Sequence, residues 1–280
     1  MTLHKKNKIP KRTADVKFRK ALLIGCNYTG TKSQLNGCIN DINNVHNFLV
    51  KHNHFKESEI TMISDHTGAH KDELPTRANI ISEINKFVSD IPKSGRCVLF
   101  FHYSGHGSYT IDRNNDEKDH RDETIVPLDY HKNGLIVDDD LKTLLVNPLP
   151  ENVDLFCLMD ACHSGTGLDL RYECKVRKIG RTQKYSIRNN RGTEDSKANV
   201  ILISGCKDKQ TSADAYINGK YQGAMTWGFL NVQRKNKYRP IRHGILIEQM
   251  QELLKKNRYT QVPQLSSGKY IELSDFYYMN

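Results

Sequence analysis

The sequence predicts an α/β fold, with a mostly parallel central sheet flanked by helices on both faces. Two observations predict it. Short apolar runs of strand length recur along the chain, and segments with helical spacing separate them. A third observation places the site. Three of the apolar runs end in clusters of Cys, His, Asp and Gly, and open α/β sheets act at the carboxyl ends of their strands.

RKALLIGC (19–26) is an apolar run closed by Gly25 and reads as a buried strand. DINNVHNFLVKH (41–52) spaces Ile42, Val45, Phe48 and Leu49 helically, with Asp41 placed as the N-cap. EITMISD (59–65) is a second strand. TRANIISEINKFVSDI (76–91) puts Ile80, Ile84, Phe87, Val88 and Ile91 on one helical face. RCVLFFHYSGHG (96–107) is a third strand running into a glycine-rich loop. DDDLKTLLVNPL (138–149) begins with acids, as a helix N-terminus favours. NVDLFCLMDAC (152–162) and NVILISGC (199–206) are further strands. AMTWGFLNVQRK (224–235) and GILIEQMQELLKK (244–256) read as helices, and KYIELS (269–274) as a last short strand. The alternation runs to the end, so one domain is expected. Residues 171–198 show no pattern and read as a long, structureless basic loop.

With 280 residues, 37% hydrophobic and 26% charged, the chain can bury a sizeable core. No apolar run approaches the roughly 18 residues of a membrane span. The basic N-terminus has no apolar run behind it, so no secretory leader is expected. Seven cysteines, an odd number without a CxxC pair, argue against zinc and thioredoxin-like sites and suit reduced thiols in the cytoplasm. The net charge of +10 is concentrated: residues 1–20 and 171–191 each hold eight Lys/Arg against one acid. The rest of the chain is therefore mildly acidic. Two solvated basic segments explain this better than a nucleic-acid face, and no nucleic-acid partner is expected.

The stretch LFCLMDACHSG (155–165) ends its apolar run on Cys162. A thiol becomes a nucleophile when a neighbouring imidazole helps it ionise. His163 is adjacent in sequence, and neighbouring side chains of an extended segment point opposite ways. His102 lies within a strand. His106 lies in the loop after the third strand, between Gly105 and Gly107, and is the candidate partner.

Together HYSGHG, DACHSG, NGCINDINNV and SGCKDKQTSADA, four separated motifs in order, resemble the metacaspases, caspase-fold cysteine peptidases. The resemblance runs from about Lys20 to the C-terminus. His106 precedes Cys162 by 56 residues, near the separation of about 50 in caspases. The caspase signature QAC[RQG]G is not met, because Asp160 replaces its Gln and His163-Ser164 follow the cysteine. Lacking a Pro-rich extension and a very long linker, the chain looks like a compact type I member. The resemblance implies a caspase-like (caspase/hemoglobinase) fold. Residues 1–19 would be a basic extension, 20–170 the large-subunit region, 171–198 the linker and 199–280 the small-subunit region.

It also implies a calcium-activated, monomeric endopeptidase that cuts proteins or peptides after Arg or Lys. Cys162 would be the nucleophile and His106 the proton donor to the leaving amine. Backbone N–H groups of Gly107 and Cys162 would form the oxyanion hole. Cys38, Asp41, Ser104 and Asp160 would line the first specificity pocket, where carboxylates suit a cationic side chain. Asp208 and Asp214 are less direct candidates to face substrate. Asp122, Asp138, Asp139 and Asp169 would bind the calcium ion. DRNNDEKDHRDE (112–123) only imitates an EF-hand loop, since Glu117 stands where glycine is required. An acidic pocket beside a basic linker further implies self-cleavage, after Lys175, Arg177, Lys178, Arg181 or Lys184. The alternatives are an inactive caspase-fold scaffold and a basic nucleic-acid or membrane-surface binder using residues 1–20.

Overall fold

The structure, a computed structural model, describes residues 15–111, 121–161, 167–179, 182–190, 192–206, 215–217, 219–277 and 279, with backbone alone at 121, 175–179, 182–185, 206 and 277. In chain order its first elements are β1 (Val16–Gly25), α1 (Cys38–His52), β2 (Ile60–Ser64), α2 (Arg77–Val88), β3 (Arg96–Ser104), β4 (Gly107–Ile111), β5 (Arg121–Ile125), α3 (Tyr130–Asn133), β6 (Ile136–Val137) and α4 (Asp138–Leu141). There follow β7 (Val153–Asp160), β8 (Tyr172–Ile179), β9 (Thr182–Asn189), β10 (Asn199–Cys206), β11 (Ala215–Ile217), β12 (Lys220–Gln222), α5 (Ala224–Lys235), β13 (Ile241–Arg242), α6 (His243–Lys256), β14 (Val262–Ser267) and β15 (Phe276–Tyr277).

Among the described residues the main sheet has eight strands in the order β2-β1-β3-β7-β10-β14-β8-β9. The pairs from β2 to β10 are parallel, and those from β10 to β9 antiparallel. The expected mixed, mostly parallel sheet is thus present. Its central strands carry long apolar runs, VLFF in β3 and LFCLM in β7, because both faces are covered. Successive side chains alternate between the faces. Leu23, Val98, Phe100 and Leu158 pack with Phe48 and Leu49 of α1, Phe229 of α5 and Leu246 and Met250 of α6. Leu22, Ile24, Leu99, Phe101 and Cys157 pack on the other side with Ile80 and Ile84 of α2 and with Leu145 and Val146. Register sets Gly25 beside Ser104, and Ser104 beside Asp160, so three carboxyl strand ends meet at one edge.

Four readings need correction. The segment 171–198 is not structureless: β8 and β9 form an antiparallel hairpin, and β8 pairs with β14. Its period-two pattern was hidden because Lys and Arg fill the alternate positions. Register sets apolar residue against apolar residue, Cys174 with Ile187 and Val176 with Tyr185. The last strand of the sheet is VPQLSS, not KYIELS. Pro263 and two serines disguised it, yet Ser266 and Ser267 are buried where β14 lies between β10 and β8. Ile271 and Leu273 of KYIELS instead pack from a turn onto the core. The helix over 138–149 stops at Leu141 and gives way to a π-type turn, Lys142–Val146, and Pro148 bars its extension. Asp41 is not the cap of α1, whose N-cap is Gly37.

The hairpin makes a measurable claim. Backbone amides that pair β8 to β14 and β9 should exchange hydrogen at least about tenfold more slowly than unpaired amides, because opening them requires breaking a ladder. Exchange across 172–179 at unpaired-loop rates would contradict the pairing.

Candidate active site

His106 leaves the end of β3 and is held by its own backbone. Its N–H donates to the Tyr28 hydroxyl at 3.0 Å. Its carbonyl accepts from the Tyr103 hydroxyl at 2.8 Å and from the Val126 N–H at 3.2 Å. Tyr28 in turn donates to Val126 O at 2.6 Å. Both tyrosines are buried. The Tyr103 hydroxyl sits 2.6 Å from where a Cβ on Gly105 would stand, so only glycine fits before the histidine. The His106 ring lies 4.7 Å from that of Tyr28. Its Nε2 is 2.8 Å from Ser33 O. A carbonyl oxygen only accepts, so Nε2 carries the hydrogen there and Nδ1 keeps a free lone pair. Gly105 N–H donates to Asp160 O at 3.3 Å. The segments leading to His106 and to Cys162 therefore leave neighbouring strands side by side. Cys162 itself, Asp208, Asp214 and Arg181 lie outside the described residues.

Cys38, Asp41, Ser104 and Asp160 are gathered, and all four are fully buried. Ser104 Oγ donates to Asp41 Oδ2 at 2.8 Å. Gly223 N–H reaches both Asp41 oxygens at 2.9 Å. Asp160 Oδ2 accepts from Thr226 N–H at 2.8 Å and from Thr226 Oγ1 at 2.9 Å. It thereby caps α5 from another element. A Cβ on Gly223 would stand 2.6 Å from Asp41 Oδ2 and closer still to Asp160 Oδ2. The two carboxylates thus face one glycine, and no side chain fits between them. Asp160 Oδ1 has no hydrogen-bond partner, nor has the buried Gln261 Oε1. Burial pushes the Asp160 carboxyl up to about 6, against hydrogen bonds from Thr226 and contributions from Met225 and Gln261 that pull it down. Burial, reinforced by Asp41, pushes the Cys38 thiol well up, so it stays neutral.

Sequence reasoning missed Tyr28, Tyr103, the Ser33 carbonyl, Gly223, Thr226 and Gln261. Tyr103 stood inside the quoted HYSGHG, and Gly223 before a helix was a visible break. Nothing in the sequence marks a backbone carbonyl or a glutamine 101 residues beyond Asp160 as a neighbour.

The four aspartates expected to bind calcium are not assembled. Asp122 and Asp138 are buried. Asp138 accepts from Asp139 N–H at 3.0 Å and from Glu123 N–H at 3.2 Å. Asp169 is paired with Lys142 Nζ at 2.6 Å. Asp139 and Asp169 border a common cavity of about 470 Å³ with Lys142, Thr193 and Glu194. Among the described residues no three of His, Cys, Asp and Glu come together to hold a metal. This arrangement does not fit a bound calcium ion, since a lysine ammonium stands on one of the four carboxylates. Lys175, Arg177 and Lys178 belong to β8 and Lys184 to β9, so four candidate cleavage positions are in paired strands.

Residues 19–171 match the family model of the metacaspase, peptidase C14 domain. The chain belongs to the metacaspases. It is 37% identical to Metacaspase-1 of Kluyveromyces lactis, over 91% of this chain and 67% of that protein. It is 38% identical to Metacaspase-1 of Debaryomyces hansenii, over 89% and 64%. It thus spans about two thirds of the length of these curated relatives. Protein GSU0716 from Geobacter sulfurreducens superposes with a TM-score of 0.60 at 24% identity, over 91% of this chain and 95% of the other. The structure of pro-sf-caspase-1 superposes with 0.52 at 11%, over 92% and 90%. At such identities the likeness is one of fold, and that fold is caspase-like. Metacaspases are cysteine endopeptidases. No helix among the described residues is long and apolar enough to cross a membrane.

Two buried groups of this metacaspase tie its stability to pH in opposite senses. Burial drives the His102 imidazole from 6.5 down to about 4, against its hydrogen bond to Leu158 O. Across that window the unfolded chain takes up a proton the folded chain refuses, so stability falls as pH drops. Asp160, raised from 3.8 to about 6, keeps a proton the unfolded chain has released, so stability falls as pH rises. The slopes oppose each other, each about 1.4 kcal/mol per pH unit at most. Asp160→Asn removes one of them. Urea unfolding between pH 4.5 and 6 should show its stability rising with pH more steeply than wild type, by up to that amount; equal slopes would contradict the buried protonation.

Proposed function

We propose that the chain is an active cysteine endopeptidase that cuts after Arg or Lys with a Cys162/His106 dyad. One observation carries the specificity: two buried carboxylates face one glycine, and beside them Asp160 Oδ1 and Gln261 Oε1 lack a donor. Buried acceptors without donors are unfavourable. A guanidinium brings five N–H donors in a fixed fork and one positive charge. A lysine ammonium brings the same charge as a point with three donors and without the planar fork that meets two carboxylates at once, so Arg should be preferred.

The catalytic step follows from the same strand ends. Cys162 as thiolate attacks the scissile carbonyl, and the backbone N–H groups of Gly107 and Cys162 bind the oxyanion. His106, having taken the thiol proton on Nδ1 while Nε2–H stays on Ser33 O, passes it to the leaving amine. Water then cleaves the thioester and returns the thiol. Five other thiols, those among the described residues, support this choice. Cys26, Cys38, Cys97, Cys157 and Cys174 are free and buried, and burial raises each above the ordinary thiol range. Such thiols are inert, and free thiols accord with the proposed cytoplasmic setting, in which the chain would act as a monomer. Calcium dependence rests on the four aspartates alone and enters no step. Self-cleavage in β8–β9 requires those strands to separate first, since a peptidase binds its substrate as a single extended segment.

Peptide amides ending in Arg, Lys or Asp, assayed with calcium and with chelator, test this reading. Arg should lead Asp by at least tenfold, a modest floor beside the about 2–5 kcal/mol lost when a buried charge loses its partner. Cys162→Ala and His106→Ala should each abolish turnover, and the double variant should be hardly worse than either. On prolonged incubation with calcium, mass spectrometry should find new N-termini between residues 171 and 191, absent in Cys162→Ala. An Asp preference, or turnover by Cys162→Ala, would overturn the assignment. Full activity in chelator would remove calcium from it.

A further inference from the structure

The hairpin β11–β12 carries a feature that the acidic pocket does not use. Tyr216 and Tyr221 are register partners, their rings meet edge to face at 5.1 Å, and they are 66% and 43% exposed. Rings so exposed contribute little to the fold by burial. Their direction is set by the pocket. Gly223 continues β12 in extended backbone, φ −70° and ψ 137°, and its Cβ direction points at the Asp41 and Asp160 carboxylates. Residues two apart in an extended strand face the same way, about 7 Å apart. Tyr221 therefore faces the pocket side one such step from Gly223, and Tyr216 joins it by the cross-strand pair. Gln222 faces the other way, into a cavity it shares with Asn44, Asn47 and Trp227.

The hairpin is tied to the pocket. Asn40 Nδ2 donates to Tyr221 O at 2.8 Å, and the next residue of α1 is Asp41. Gln222 Nε2 donates to Ile217 O at 3.1 Å, and Ile217 is buried. The side of substrate that meets the rings also follows. Ser104, which leads to His106, touches Asp41 from β3, whereas Gly223 touches it from the hairpin. The leaving amine departs past His106, so the hairpin borders the acyl half of the substrate.

We propose that Tyr216 and Tyr221 form a second subsite. It takes an apolar or aromatic side chain on one of the two substrate residues preceding the cleaved basic residue. The inference rests on the acidic-pocket reading and adds a second determinant to it. Two neutral rings in edge-to-face contact offer an apolar face, and covering it removes exposed apolar surface from water.

The test uses the full chain and two peptide amide series, acetyl-Gly-X-Arg and acetyl-X-Gly-Arg, with X as Phe, Leu, Gly or Asp. At one of the positions Phe or Leu should raise kcat/KM roughly tenfold over Gly, the low end for filling an apolar pocket, chiefly through KM. Tyr221→Ala and Tyr216→Ala should each bring that ratio towards one, and Tyr221→Phe should keep it, since the ring and not the hydroxyl is used. A wild-type enzyme indifferent to X at both positions overturns the subsite. So does a preference that Tyr221→Ala leaves intact, or a preference for Asp at X. Acetyl-Gly-Gly-Arg against acetyl-Gly-Gly-Asp separates the two readings: Arg preferred with X indifferent sinks the subsite alone, and Asp preferred sinks both.

Discussion

Two carboxylates buried against the Gly223 backbone are the constraint on which the rest of the site depends. Asp41 and Asp160 come from α1 and β7, yet each is held by the start of α5, through Gly223 N–H and Thr226. Burying charge is unfavourable unless donors meet it. The donors here come from a helix start and a serine, and they leave one oxygen of Asp160 unmet. This local deficit is what a cationic side chain would fill. It also explains why the segment entering α5 must be glycine, since any Cβ there collides with both acids.

The catalytic histidine proposed for this metacaspase is positioned by different means. Its backbone is clamped by two buried tyrosine hydroxyls, and its ring is oriented by one carbonyl. The parallel sheet links the two parts. Register sets Ser104 beside Asp160, so the residues that leave β3 and β7 start side by side. The two carboxylates, the histidine and the end of β7 that leads to Cys162 therefore share one strand-end edge, and the aromatic hairpin borders it from the side of α5.

Much of this was legible because burial on two faces writes uninterrupted apolar runs into the central strands, as in LLIG and VLFF. Motif residues at strand ends were legible for the same reason, since each run points at its own terminus. Charge disguised β8 and β9: five basic residues, four of them on one alternating set of positions, look like a solvated loop until the partner strand is known. Pro263 and two serines disguised β14, whose burial comes from neighbours on both sides rather than from its own side chains. Asp41 reads as a cap because an acid near a helix start usually is one, whereas here a glycine 182 residues away claims it. Contacts of that range, and roles played by backbone atoms, leave no periodic trace.

The buried acid gives the central claim a direct measurement. Arg and its uncharged isostere citrulline can be compared in otherwise identical peptide amides from pH 5 to 7.5. The ratio of their kcat/KM values cancels whatever acts on both peptides alike, the catalytic pair included, and reports the free enzyme's pocket. In the wild type the ratio should be large near pH 7.5 and fall as pH drops through about 6, where Asp160 takes up its proton. In Asp160→Asn it should be smaller and nearly flat over that window. A wild-type ratio near one, or one that does not change with pH, would contradict the account.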